Sequence, residues 1–441
     1  MPRSTRRQFL ARTVPATTAL WSAPTFASTL QTVRDGVQGE RIASRMETIA
    51  RIGATPEGGG SRTAGSDADL AARETFSGWL REAGLAVRTD LAGNLIGHLP
   101  GADSSLPPLL TGSHLDSVPE GGNFDGVIGS IAALEAAAVI AASGAPLRHP
   151  LEVAVFFNEE NGKTGSRALA GEVTQEEMDL PVYGGLTLGQ ALARVGGSPE
   201  RITEAALEPG HYAGFVELHI EQGPTLATEG IEIGVVQGIV GIRRFHVRVS
   251  GFANHAGTTA MGIRRDALVT AGRFLVAVHE ETQSWPGRQV ATVGRIEAHP
   301  GAPNVIPGAV DLSLEIRDLE METIEALYQR FQELGRELAR RNQTEITFEP
   351  YYLSRAAPCD PVFMNTVEAA ANDLGFSNLR LPSGAGHDAQ SIAVLAPVGM
   401  IFVPSRDGIS HSPREFTSVA DTTNGTRVLL ETLRRLDGVL G

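Results

Sequence analysis

Residues 112–126 read Gly-Ser-His-Leu-Asp-Ser-Val-Pro-Glu-Gly-Gly-Asn-Phe-Asp-Gly, and their setting decides the fold class. Leu109 and Leu110 lead in, and an alanine-rich helical pattern over 128–142 follows. The stretch thus reads as the carboxyl end of a buried strand turning into a helix, where open α/β sheets place their ligands. It carries His114, Asp116 two residues on, and Asp125 eleven residues on. Residues 153–162, VAVFFNEENG, follow the same grammar, with an apolar run passing straight into Glu159 and Glu160. His219 lies at the end of the run 215–220, and His411 lies beyond the run 399–403. Imidazoles and carboxylates gathered beyond strand ends form the donor set of a two-zinc hydrolase.

Working outward, the pattern predicts helices over 41–51 and 66–83, with Ser66 as an N-cap, and strands over 86–90 and 95–99 around a Gly93-Asn94 turn. Alternating strands and helices imply an α/β layer with a mixed, largely parallel sheet flanked by helices. The pattern changes near Gly241. Strands over 243–250, 289–297, 309–317 and 344–349, with helices over 264–281 and 319–340, follow the order β-α-β-β-α-β of a ferredoxin-like α+β unit. The α/β pattern then resumes with a helix over 362–374, a strand over 399–403 and a closing helix over 418–436. The expected organisation is a discontinuous catalytic domain (28–240 and 351–441) with a small domain inserted at 241–350.

The 441 residues are 42% hydrophobic and only 5% aromatic, as suits a globular chain with aliphatic cores. A formal charge of −14 argues against nucleic acid or an anionic membrane as partner. Cys359 is the only cysteine, which excludes an internal disulfide and a cysteine-rich zinc site. Lys163 is the only lysine, so a carboxylated bridging lysine has a single candidate, outside any strand-end histidine cluster. The opening Ser4-Thr5-Arg6-Arg7-Gln8-Phe9-Leu10, the mildly apolar run to Phe26 and the small residues that follow read as a twin-arginine export signal over 1–27, which implies a periplasmic mature chain.

The chemistry can be assigned by residue type. Two metals about 3.5–4 Å apart need a carboxylate between them. Asp125, fixed between Gly121-Gly122 and Gly126, suits that role, and His114 suits one metal. Asp116 is placed to bond the other nitrogen of the His114 ring and so orient it. Adjacent residues on an extended chain point opposite ways, so Glu160 can bind metal while Glu159 faces the substrate as general base.

Seven stretches in order, HLDSVPEGGNFDG, NEENG, HIEQG, ANHAGTTAM, PNVIPG, SGAGHDA and PSRDGISHSPRE, resemble the amidase/carbamoylase branch of the dinuclear zinc peptidase clan. That branch includes N-carbamoyl-L-amino-acid hydrolases, β-ureidopropionases and allantoate amidohydrolases. The resemblance implies one metal on Asp125, Glu160 and His411 and another on His114, Asp125 and His219, with Glu159 as base. It implies that His255 stabilises the oxyanion and that Asn304 and Arg317 clamp a substrate carboxylate. Gln222 and the loop around Gly386 are weaker candidates for the ureido group, and His387 and Asp388 stay outside the metal shell. The inserted domain would serve as a lid and as the interface of a homodimer.

The implied activity is hydrolysis of the C–N amide bond of an N-carbamoyl (ureido) group on a small carboxylate-bearing substrate, with two divalent ions per subunit. Zinc leads, and manganese, cobalt or nickel use the same donors. The alternatives are an allantoate amidohydrolase, a metallo-exopeptidase or aminoacylase of the same clan, and a ureido-acid binding protein without turnover. Intact Glu159 and five intact ligand positions argue against the last.

Overall fold

The computed structural model describes residues 36–440, so the export signal expected over 1–27 lies outside the described residues. Its main sheet contains β1 (Ala86–Thr89), β2 (Leu95–Leu99), β3 (Leu109–His114), β4 (Leu151–Phe156), β5 (Gly214–Ile220) and β6 (Ile233–Ile239). The chain then leaves this sheet. It builds a second one from β7 (Gly241–Ser250), β9 (Val290–Thr292), β10 (Ile296–His299), β12 (Ala309–Asp318) and β13 (Glu345–Ser354). A separate two-stranded pair comprises β8 (Asn254–His255) and β11 (Val305–Ile306). β14 (Ala357–Pro358), β15 (Asn378–Ser383) and β16 (Val398–Val403) return to the main sheet.

The main sheet runs β1-β2-β4-β3-β5-β16-β6-β14, with β15 also paired to β6. Its centre, β4-β3-β5-β16, is parallel, and its flanks are antiparallel except for β15 on β6. Every residue of these four central strands is buried, which is why they read as continuous apolar runs rather than alternating ones. Alternation survives in the two cores they feed. Leu109, Val153, Val155, Val216 and Leu218 face the layer holding helices Val127–Ala142, Pro361–Leu374 and Val419–Val439. Leu110, Ala154, Phe156 and Phe215 face the other side, with Ala389 and Ile392 of the short helix Asp388–Ile392. Helix Val127–Ala142 is buried nearly all round because helices cover it as well as strands. Four parallel strands end on one edge of the sheet, and that edge collects His114, the Glu159–Glu160 turn, His219 and the loop of His411.

The second sheet has the order β13-β7-β12-β10, with β9 also on β12, all antiparallel, and helices Ala267–Ser284 and Met321–Arg341 pack on it around Phe245, Phe274 and Phe331. This is the β-α-β-β-α-β order expected from the sequence. The single strand expected over 289–297 is split, because around Gly294 the ladder gives way to bonds between Arg295 and Ser313, including Arg295 N–H to Ser313 Oγ at 3.0 Å. β13 runs past the expected end at 349 by shifting register between Pro350 and Tyr352, since proline cannot donate to a ladder. Periodicity does not reveal β6 or β15. Glycines interrupt β6, and in the half-exposed β15 an arginine and a proline, Arg380 and Pro382, give the composition of a loop. The helix expected from Ser66 begins at Asp67, with the Ser66 side chain accepting from Asp69 N–H as an N-cap. No helix among the described residues is long and apolar enough to cross a membrane.

Phe156 is fully buried and meets Phe215 edge-on at 5.8 Å. Phe156→Ala is expected to lower unfolding free energy by about 3–5 kcal/mol in denaturant titration, through lost transfer energy and an unfilled cavity.

Candidate metal centre

His114 closes β3, and its ring is buried. Its Nδ1 lies 3.0 Å from the Asp116 main-chain oxygen. A carbonyl only accepts, so Nδ1 carries a proton and Nε2 is the atom left for a cation. His219 repeats the arrangement on β5, with Nδ1 donating to the Ile220 carbonyl at 3.0 Å. Both Nε2 atoms point at the same oxygen, Asp125 Oδ1, from 3.5 Å and 3.1 Å. The other oxygen, Oδ2, faces His411 Nε2 at 3.4 Å, and that nitrogen also lies 3.2 Å from Glu160 Oε2. Asp125 thus divides its two oxygens between two donor sets, His114–His219 and Glu160–His411. Within each set, Asp125 included, the ligand atoms lie within 4.8 Å of one another. Two imidazoles plus a shared carboxylate, and one imidazole plus two carboxylates, are donor sets that fit a pair of divalent cations.

Local chain geometry produces this convergence. Gly126 has φ +66°, and a Cβ there would sit 2.4 Å from the His114 ring, so only glycine lets the turn bring Asp125 under the imidazole. Glu159 and Glu160 diverge, but not as neighbours on an extended strand. They occupy a turn after Asn158, itself at φ +54°. Glu160 meets His411, while Glu159 Oε2 approaches His114 Nε2 to 3.8 Å.

Asp116 corrects the expectation for its side chain. The His114 ring bonds its main-chain oxygen, and the carboxylate stands 3.7 Å from Nδ1. Its oxygens instead accept the N–H groups of Glu159 and Glu160, at 3.3 Å and 3.2 Å. The strand ends at His114, so the alternation that placed Asp116 against the ring no longer applies.

Gln222, at φ +56°, donates Nε2 to Asp125 Oδ2 at 2.6 Å. It also lines a cleft of about 720 Å³ with Arg288, Arg317 and Gly384. Arg317 uses Nε on Glu315 and Nη1 on the Gly384 carbonyl, both at 2.7 Å. Gly386 lies in the same loop, where a Cβ would approach Lys163 Nζ to 3.1 Å. Lys163 donates to Gln390 and belongs to neither cation set. His255 and Asn304 lie elsewhere, on the β8–β11 segment, exposed and sharing no hydrogen bond with the Asp125 cluster among the described residues. The His255 Nδ1 accepts from Gly257 and Thr258 N–H at 3.0 and 3.2 Å, leaving Nε2 as an outward donor.

A further buried trio, Glu217, His219 and His387, also gathers ligand-type atoms. Both Glu217 oxygens are occupied, by Ser113 Oγ at 2.8 Å and Ala389 N–H at 3.1 Å, and His387 Nε2 pairs with Ser383 Oγ at 2.7 Å. The His387 ring meets the His219 ring edge to face, with 4.4 Å between centroids, so this group stands beside His219. Sequence reasoning missed Glu217, Ser410 and Glu415. The last two lie inside the quoted stretch PSRDGISHSPRE, but a serine and a glutamate in a loop carry no signal until their partners are known.

Electrostatics follow from burial against pairing. Burial would raise Asp125, but the His219, His114 and His411 rings hold it well below the carboxylate range. Burial opposes protonation of His219, yet Asp125 brings it up to about 9, and hydrogen bonds to Asp125 and Glu160 take His411 to about 11. Burial pushes Asp116 up to about 6 and Asp388 up to about 8. Burial also raises Glu159 well above its ordinary value against the opposing charge of His114.

The sequence profile of Peptidase family M20/M25/M40 matches residues 110–435, which span every residue of both donor sets. The chain belongs to that family. Among its relatives, an N-carbamoyl-L-amino-acid amidohydrolase from Paenarthrobacter aurescens is 40% identical over 91% of this chain and 98% of its own length. An allantoate amidohydrolase from Bacillus subtilis is 34% identical over 90% of this chain and 97% of its own. A solved hydantoinase/carbamoylase family amidase from Burkholderia multivorans superposes with a TM-score of 0.83 at 34% identity, covering 91% of this chain and 98% of that one. The family therefore agrees with the resemblance carried by the seven motifs.

Protons on His219 and His411 must leave before their Nε2 atoms can hold a cation. With these rings raised from 6.5 to about 9 and about 11, proton competition is strongest at low pH. Divalent-ion affinity is expected to climb steadily from pH 6.5 to 9, with net proton release at neutral pH. Calorimetry in buffers of differing ionisation enthalpy measures both.

Proposed function

We propose that the chain is a dinuclear metal amidohydrolase that cleaves the C–N amide bond of an N-carbamoyl-L-amino acid, releasing ammonia, carbon dioxide and the amino acid. The observation that carries this reading is the division of Asp125 between two donor sets, beside a carboxylate base and a cleft holding an arginine. Bound in the two sets, a pair of divalent cations, zinc by preference, would supply Lewis acidity, acidifying water and polarising a carbonyl oxygen. Glu159 takes the proton of the attacking water at its carboxylate and returns it to the leaving nitrogen. A buried carboxylate whose proton affinity is raised suits a group that must hold that proton between the two steps. Arg317, reached from the Asp125 cluster through the cleft that Gln222 lines, binds the substrate carboxylate with its guanidinium fork. The Nε2–H of His255 meets the oxyanion, and Asn304 adds to the carboxylate clamp. Both require the segment 241–350 to act as a lid, closing within one subunit or across a homodimer.

Glu159→Gln is expected to retain both metal ions while kcat falls by about 10²–10⁴-fold, the range supplied by a positioned general base. Metal analysis with steady-state ammonia release tests this, and a near wild-type rate would remove Glu159 from the mechanism. Arg317→Ala is expected to raise KM for carboxylate-bearing substrates by roughly ten- to a hundredfold, the scale of a lost charged hydrogen bond. Neutral ureas should be unaffected.

Allantoate is the second reading, favoured by the Bacillus subtilis relative, because it presents the same ureido and carboxylate groups. Ammonia release from a panel of N-carbamoyl-L- and D-amino acids, N-carbamoyl-β-alanine, allantoate and a dipeptide decides between them. Turnover confined to N-carbamoyl-L-amino acids upholds the proposal. Turnover of allantoate alone transfers the same site to that substrate.

A further inference from the structure

One buried carboxylate outside both donor sets ties them together. Glu415 Oε1 accepts the N–H groups of Phe124 and Asp125, at 2.8 Å and 3.0 Å. Its Oε2 lies 2.9 Å from Ser410 Oγ, on the residue directly before His411. The same hydroxyl stands 2.8 Å from Asp125 Oδ2. Segments nearly three hundred residues apart in the chain thus meet on a single side chain. The fit is tight, since a Cβ on Gly122 would come within 2.0 Å of Glu415 Oε1.

The two donor sets differ in how firmly they are held. His114 and His219 lie on central strands, buried, with each Nδ1 bonded to the main chain. His411 sits on a loop at φ +53°, and its side chain is 50% exposed. No strand ladder fixes it, so its distance from Asp125 depends on how its loop is anchored. Glu415 supplies an anchor that reaches Asp125 and the His411 loop together.

We propose that Glu415 is a positioning residue that locks the Asp125 turn to the Ser410–His411 loop and thereby sets the affinity of the Asp125–Glu160–His411 set for its cation, leaving the His114–Asp125–His219 set largely intact. This rests on the dinuclear reading of the site. A charge is not required, only acceptors for the two amides and a partner for Ser410. Glutamine meets those needs, with its carbonyl oxygen accepting from Phe124 and Asp125 and its amide donating to Ser410 Oγ. Alanine leaves the Asp125 amide buried without an acceptor.

The test is Co2+ binding by equilibrium dialysis and visible absorption on the full chain, with circular dichroism to establish folding. Wild type should take up two ions. Glu415→Ala should bind one ion within threefold of wild-type affinity and the other at least tenfold more weakly, and Glu415→Gln should keep both near wild type. Turnover of the best substrate should show kcat reduced in Glu415→Ala at nearly unchanged KM. Folded Glu415→Ala with two ions at wild-type affinity overturns the proposal, as does Glu415→Gln failing equally. Should Glu415→Ala not fold, Ser410→Ala decides: weaker binding of one ion alone supports the lock, and two ions at wild-type affinity refute it. Wild type binding fewer than two ions refutes the dinuclear reading itself, an outcome distinct from the failure of Glu415 alone.

Discussion

The divided carboxylate of Asp125 is the constraint around which the rest is arranged. One oxygen faces two imidazoles from central strands, and the other faces a loop histidine and a turn glutamate. A buried anion is tolerable only when surrounded by compensating groups, and three rings, an amide and a hydroxyl converge on this one. Each of those groups needs a main-chain position that points it inward. The parallel order β4-β3-β5-β16 provides it by ending four strands on one edge.

Behind this centre, the supporting bonds come largely from the backbone. Carbonyls fix the tautomers of His114 and His219, and the Asp116 and Glu415 carboxylates receive amides from the turns that carry Glu159, Glu160 and Asp125. Buried polar networks of this kind hold a site rigid when every member is satisfied. The cleft and the β8–β11 segment are built differently. Arg317 rests on Glu315 and a carbonyl at the cleft, His255 stands exposed on β8, and Asn304 stands exposed in the turn before β11.

Much of this is legible in the chain itself. Strands buried on both faces leave apolar runs, and an apolar run ending in a histidine or paired glutamates marks a sheet edge where charge must be compensated. That is why His114, Asp125, Glu160 and His219 stand out as donors, and why the β-α-β-β-α-β order of the inserted sheet is visible. The parts that differ do so for identifiable reasons. Strand alternation aims the Asp116 side chain at the ring, but the strand stops two residues earlier. β15 hides behind an arginine and a proline, and the break near Gly294 comes with a bond from Arg295 N–H to the Ser313 hydroxyl that no periodicity reports.

What the sequence by itself determined is the chemistry available: which residues can bind metal or take a proton, and the α/β order that carries them. These follow from residue type and from periodicities a few residues long. Only the tertiary structure decided which oxygen of Asp125 meets which histidine, that Asp116 braces a turn rather than a ring, and that Glu415 joins two loops. Those are contacts between segments far apart in the chain. Their partners are selected by strand order and by packing in three dimensions, which no local pattern encodes.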